Sequence, residues 1–132
     1  MKYIFFRVDS SYNYASGHLV RCNRLAKLFS KNYKVIFLTN KFSGNFNFII
    51  KKHKKIYLNY KNSNSINSKI DREKVIKILK KFNGEKTIFV DHYKLDFKWQ
   101  KNVSKHVDRL ICINDYSKMN YCTMLNFLLL YR

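Results

Sequence analysis

Two places in the chain carry residue types that could do chemistry. His18 follows Gly17 at the start of an amphipathic segment, and Asp91, His92 and Tyr93 stand together at the end of a short apolar run. A histidine on the first turn of a helix lies at the positive end of the helix dipole. That end disfavours the imidazolium and leaves a neutral ring able to take a proton from water, as a general base does. A helix-start histidine that only caps or packs has the same signature, so the residue type alone leaves both readings open. Gly17 favours the first, because a residue without Cβ lets a ligand come close to the backbone. In the Asp91-His92-Tyr93 triplet, the carboxylate can orient an imidazole or accept a substrate hydroxyl, and the phenol can donate a hydrogen bond to a sugar or a leaving group. His53 and His106 lie among lysines and read as solvated. The four histidines and three cysteines show no metal-ligand spacing, and neither GxGxxG nor the Walker pattern occurs, so no metal or cofactor is expected.

The elements that must position these residues follow from hydrophobic patterning. Lys2–Val8 is apolar and aromatic without polar alternation, as in a central strand covered on both faces. Asp9, Ser10 and Ser11 end it. From Ser16, a plausible N-cap, Leu19, Cys22, Ala26 and Phe29 recur at helical spacing. A strand running directly into a helix start gathers backbone N–H groups at one point, a ready site for an anion. Further strands are expected at 34–39, 56–60, 87–90 and 109–113. A short helix is expected over 46–52, a helix opened by Asp71 and capped by Asn83-Gly84, and a last one marked by Trp99, Val103 and Val107. The polar stretch 61–68 reads as an exposed connection. Strands of four to seven residues alternating with helices predict an α/β fold, a single Rossmann-like domain whose parallel sheet is flanked by helices. In such sheets ligands sit beyond the carboxyl ends of the strands, where Asp9-Ser10-Ser11, Asp91-His92-Tyr93 and Asn114-Asp115 all fall.

Composition bounds the function class. At 132 residues the chain is one domain by length, and 46% hydrophobic residues exclude a disordered tail. A net charge of +19 attracts polyanions, but lysines scattered along helices and loops, with no stacking-aromatic motif, make nucleic acid an unexpected partner. An odd number of cysteines, Cys22, Cys112 and Cys122, without a CxxC pair points to a reducing cytoplasm. No signal peptide is indicated, and the apolar stretch 124–131 is far shorter than the roughly 20 residues of a membrane span, so no membrane partner is expected.

The segment FRVDSSYNYASGHLVRCNRLAKLF resembles the opening of the nucleotide-sugar hydrolases of pseudaminic acid biosynthesis, which have a glycosyltransferase-B-like fold and are related to spore-coat polysaccharide proteins. The family's Arg, Asp and Ser, its Ile-Gly-x-Gly-His, and its Arg-Cys and Leu-Ala correspond to Arg7, Asp9, Ser11, Gly17, His18, Arg21, Cys22, Leu25 and Ala26. VDHYKLDFKW is similar to a second family segment and INDYSKMNYC, more loosely, to a third. The resemblance implies that His18 activates water to attack the anomeric carbon of a UDP-linked 2,4-diacetamido-2,4,6-trideoxy sugar, with inversion and without a metal. Tyr93 would assist catalysis, and Arg7, Asp9, Ser11, Gly17, Arg21, Asp91 and His92 would serve substrate binding.

The departures from the family pattern are specific. Tyr14 and Ala15 stand in place of the Ile and the first Gly, Asn114 in place of an acid, and Tyr121 and Thr123 in place of the His and Asp around Cys122. By the resemblance, 1–132 is the N-terminal half of a glycosyltransferase-B-type fold without its nucleotide-binding C-terminal domain. A separate chain supplying that domain is then the implied protein partner. Two other readings compete: a truncated, non-catalytic remnant, and a basic module binding nucleic acid or another polyanion.

Overall fold

The computed structural model of the chain describes residues 1–113; the features read at Asn114, Asp115, Tyr121, Cys122, Thr123 and 124–131 lie outside them. Five strands, β1 (Lys2–Val8), β2 (Lys34–Thr39), β3 (Lys54–Tyr57), β4 (Glu85–Asp91) and β5 (Arg109–Cys112), form one sheet in the order β3-β2-β1-β4-β5, with every pairing parallel. Three helices, α1 (Gly17–Phe29), α2 (Ser68–Leu79) and α3 (Phe97–Ser104), cover it. The domain is the expected α/β, Rossmann-like one.

Alternation along β1 sorts its side chains between two cores. Ile4, Phe6 and Val8 meet Leu19, Cys22 and Ala26 of α1, and Phe6 stacks between Phe37 and Phe89 at 4.9 and 5.0 Å. Phe5 faces the other way, into Val75, Leu79, Trp99 and Val103 of α2 and α3. Each such buried side chain contributes about 1.5–3 kcal/mol over leaving it in water, which is why the central strand can be apolar on both faces.

Several boundaries differ from the sequence reading, each for a physical reason. β3 runs over Lys54–Tyr57 and not 56–60, because Asn59 adopts a left-handed φ of 63° that ends the extension. Lysines are tolerated at the start of this edge strand, and the Lys55 ammonium donates to the carbonyls of Ile50 and His53. α2 starts three residues before Asp71, where the side chain of Asn67 accepts from the N–H groups of Lys69 and Ile70. Its cap is Lys80, not Asn83-Gly84. Gly84 serves the next turn instead: its φ is +138°, and a Cβ there would lie 2.3 Å from the Met1 carbonyl oxygen. Ser16 holds the N-cap position of α1 but makes no capping side-chain bond, whereas Asp96 caps α3 by accepting from the Trp99 N–H at 2.9 Å. Val107 falls beyond the end of α3. His53 is half-buried, its ring 5.4 Å from that of Phe37, and not fully solvated as expected.

The stretch 61–68 does more than connect. Ser63 is buried; its hydroxyl accepts from Asn13 Nδ2 at 2.9 Å, and its carbonyl accepts from Tyr14 Oη and Lys94 Nζ at 3.2 and 3.0 Å. This loop therefore braces the turn between β1 and α1. Among the described residues, no helix is long and apolar enough to cross a membrane.

Candidate functional site

The strand order reverses between β1 and β4, where Val8 is registered against Asp91, and α1 starts just beyond the carboxyl end of β1. That reversal is the usual position of a ligand site in an open parallel sheet. His18, Arg21, Asp91 and Tyr93 meet there. His18 and Arg21 are three residues apart, so one face of α1 carries both toward the end of β4.

Asp91 is 1% exposed in its side chain and wholly committed. Its Oδ1 lies 2.5 Å from His18 Nδ1 and 2.7 Å from Arg21 Nη2, and its Oδ2 accepts from Arg21 Nε at 2.5 Å. Arg21 thus grips the carboxylate with two parallel donors, the strongest geometry available to an arginine. It also donates to the Ile113 carbonyl at 3.2 Å. A carboxylate can only accept, so in the neutral ring the Asp91 contact selects the tautomer protonated on Nδ1, which also lies 3.3 Å from Arg21 Nη2. That tautomer leaves the Nε2 lone pair as the basic one, and Nε2 makes no hydrogen bond among the described residues. The His18 ring is 12% exposed, and the half-exposed Tyr93 ring lies 4.8 Å from it and nearly perpendicular to it. Cys22 lies beneath, its Sγ 3.9 Å from Asp91 Oδ2; burial, and then the Asp91 charge, push this thiol well above its ordinary range, so it stays protonated.

Arg7, Asp9 and His92 form a second cluster, on the opposite face of the sheet. Arg7 is fully buried and donates Nε and Nη2 to Asp71 at 3.1 and 2.7 Å and Nη1 to Asp9 at 2.9 Å. Asp71 also accepts from Trp99 Nε1 and Tyr60 Oη, at 2.9 and 3.1 Å. Asp9 accepts further from His92 Nε2, Asn40 Nδ2 and Thr39 Oγ1, at 2.8, 3.0 and 3.3 Å. The Lys94 N–H donates to His92 Nδ1 at 3.2 Å, which fixes the proton of a neutral ring on Nε2.

Electrostatics follow from this packing. Burial opposes the Arg7 charge, but Asp71 and Asp9 outweigh it and hold the guanidinium above its ordinary range. Burial likewise opposes ionisation of Asp9, yet Arg7, with the His92 and Asn40 hydrogen bonds, drives its carboxyl well below the usual range. Burial lowers His92, the Asp9 hydrogen bond offsetting it only in part. Among the described residues, no buried side-chain nitrogen or oxygen lacks a hydrogen bond.

The residues singled out in the sequence thus separate into three sets. His18, Arg21, Asp91 and Tyr93 form one contact cluster. Arg7, Asp9 and His92 have their polar atoms turned into the core and bonded to one another and to Asp71. Ser11 and Gly17 bracket the turn between β1 and α1: the buried Ser11 Oγ accepts from the N–H groups of Asn13 and Tyr14, while Gly17, the first residue of α1, is exposed, with no atom within 4 Å of where a Cβ would stand. Ala15, at the position of the family glycine, adopts a left-handed φ of 58°, the conformation that favours glycine. Asp71, Tyr60 and Trp99 had no local signature; their contacts with Arg7 and with one another span as many as 64 residues of sequence. Among the described residues, no group of three His, Cys, Asp or Glu side chains is placed to hold a metal ion.

No family model matches the chain, and no curated protein matches it. The chemistry of the site is carried by its own geometry.

Proposed function

We propose that this chain carries the water-activating half of an inverting UDP-sugar hydrolase. The observation that supports it most is the Asp91–His18 pair at the strand-order reversal, with His18 Nδ1 held by the carboxylate and Nε2 left basic. In this reading Nε2 takes a proton from water as the water oxygen bonds to the anomeric carbon. The bond from that carbon to the diphosphate oxygen breaks, its electron pair leaves with UDP, and the configuration inverts. Asp91 stabilises the imidazolium that forms, as a carboxylate behind a catalytic histidine does. Arg21 positions Asp91, and Tyr93 packs nearly perpendicular to the imidazole. Arg7, Asp9 and His92 act only indirectly, by fixing the carboxyl ends of β1 and β4 from the opposite face of the sheet.

The substrate, a UDP-linked 2,4-diacetamido-2,4,6-trideoxy sugar, comes from the sequence resemblance, and a cytoplasmic location from the odd number of cysteines without a CxxC pair. In the same reading a glycosyltransferase-B-type nucleotide-binding domain grips the nucleotide, and the binding energy that positions the substrate is shared with it. The test is UDP release from that sugar nucleotide by this chain mixed with such a domain. His18→Ala and Asp91→Asn should each lower kcat by about 10²–10⁴, with the fold intact by circular dichroism. A rate indifferent to His18→Ala, or no turnover with the second domain present, would refute the proposal.

A further inference from the structure

On the α1 face, away from His18, lies a cleft of about 460 Å³ between the second half of α1 and the turn that enters β3. Asn23 and Lys27 of α1 form one wall; Ile49, Lys51, Lys52 and His53 form the other. No carboxylate lines it. Lys55, Lys74 and Lys94 donate to backbone carbonyls, and Lys2, Lys41 and Lys54 lie over aromatic rings. The remaining described lysines carry no such side-chain contact, and what sets the cleft apart is that three of them line one concavity. The ammonium groups of Lys27, Lys51 and Lys52 make no hydrogen bond, ion pair or ring contact among the described residues. Three unengaged cations around one concavity repel one another, and a bound anion would relieve that repulsion.

We propose that this cleft is a binding site for a small phosphate-bearing ligand, of the size of a pyrophosphate or a sugar phosphate. A concave site with an apolar patch at Ile49 and cations at its rim suits a compact ligand, whereas a nucleic acid would need a basic track along the surface. His53 lies in the field of these lysines. Its half-buried ring rests on Phe37 and is lowered by burial, then by Lys55 from β3 and by Lys27 from α1. No carboxylate offsets those charges, and Lys51 and Lys52 are the other cations of the cleft.

Inorganic pyrophosphate is the probe, titrated at low ionic strength into the full chain while the His53 ring resonances are followed by NMR. Saturable binding should shift them and raise the pH at which His53 titrates. The triple variant Lys27→Gln, Lys51→Gln, Lys52→Gln should bind at least about ten-fold more weakly. A control with the same charge change elsewhere, Lys69→Gln, Lys80→Gln, Lys101→Gln, should bind like the wild type, as should His18→Ala, which separates this site from the proposed hydrolase centre. Absence of saturable binding, or equal loss in the two triple variants, would overturn the proposal and leave only diffuse charge attraction. Tighter binding of a single-stranded oligonucleotide, untouched by the cleft variant, would overturn it in favour of a nucleic-acid surface.

Discussion

Replacing Arg7 with Met keeps an unbranched apolar stem but removes the three hydrogen bonds to carboxylates, two to Asp71 and one to Asp9, together with a longer one to the Leu38 carbonyl. The three carboxylate bonds carry most of the effect. At about 1.5–3 kcal/mol each, the gross loss is roughly 4.5–9 kcal/mol. The net loss is smaller, because Asp9 keeps His92, Asn40 and Thr39, and Asp71 keeps Trp99 and Tyr60. Leaving one side of a buried ion pair uncompensated typically costs about 3–5 kcal/mol, and that is the expected destabilisation at pH 7. It is a large share of the roughly 5–15 kcal/mol that holds an ordinary domain together. Urea unfolding followed by fluorescence of the single tryptophan, Trp99, which itself hydrogen-bonds Asp71, measures it directly. The deficit should also depend on pH. In the wild type the depressed Asp9 stabilises the fold above the ordinary carboxyl value of 3.8, and that contribution is lost as pH falls through the folded value. Without Arg7, burial raises the Asp9 carboxyl, so the variant regains stability as pH falls and the two proteins converge toward pH 4. A deficit under about 1 kcal/mol, or one constant between pH 7 and 4, would refute the reading of Arg7 as the counter-charge of a buried network.

Three further perturbations follow. The folded value of His92 lies below the ordinary 6.5, so its contribution is complete above 6.5 and declines as pH falls below it; His92→Gln should flatten that part of the urea midpoint profile between pH 7.5 and 5.5, and an unchanged slope would refute it. Ala15→Gly should stabilise by about 0.5–1 kcal/mol, since relief of the left-handed backbone exceeds the added freedom of the unfolded chain; chemical denaturation reads the sign. Gly84→Ala should destabilise by about 2–3 kcal/mol, seen as a lower Tm, because a Cβ would meet the Met1 carbonyl oxygen at an unfavourable φ.

The sheet was legible in the sequence where strands are buried on both faces: β1 and β2 stand at the boundaries their apolar runs predict, Lys2–Val8 and Lys34–Thr39. β3 was displaced because an edge strand tolerates lysines, and hydropathy misses a strand that opens with Lys54 and Lys55. Asp71 looked like an acid favoured at a helix start, a local preference that also holds for a residue in the first turn. Its role as the main counter-ion of Arg7 is a tertiary fact with no local trace. The site divides the same way. His18 at a helix start and Asp91 at a strand end were readable one by one, but their contact spans 73 residues and appears only once β1 and β4 are neighbours.

Asp91 and His92 are consecutive, yet they serve the sheet's opposite faces, the first reaching α1 and the second Asp9. The strand therefore writes two messages in alternate letters. A deletion or insertion of one residue inside β4 would exchange the two faces and erase both messages at once, while point substitutions would erase them separately. Saturation mutagenesis scored for abundance and for turnover should then show opposite patterns at neighbouring codons: position 92 intolerant on the abundance scale, position 91 intolerant mainly on the turnover scale.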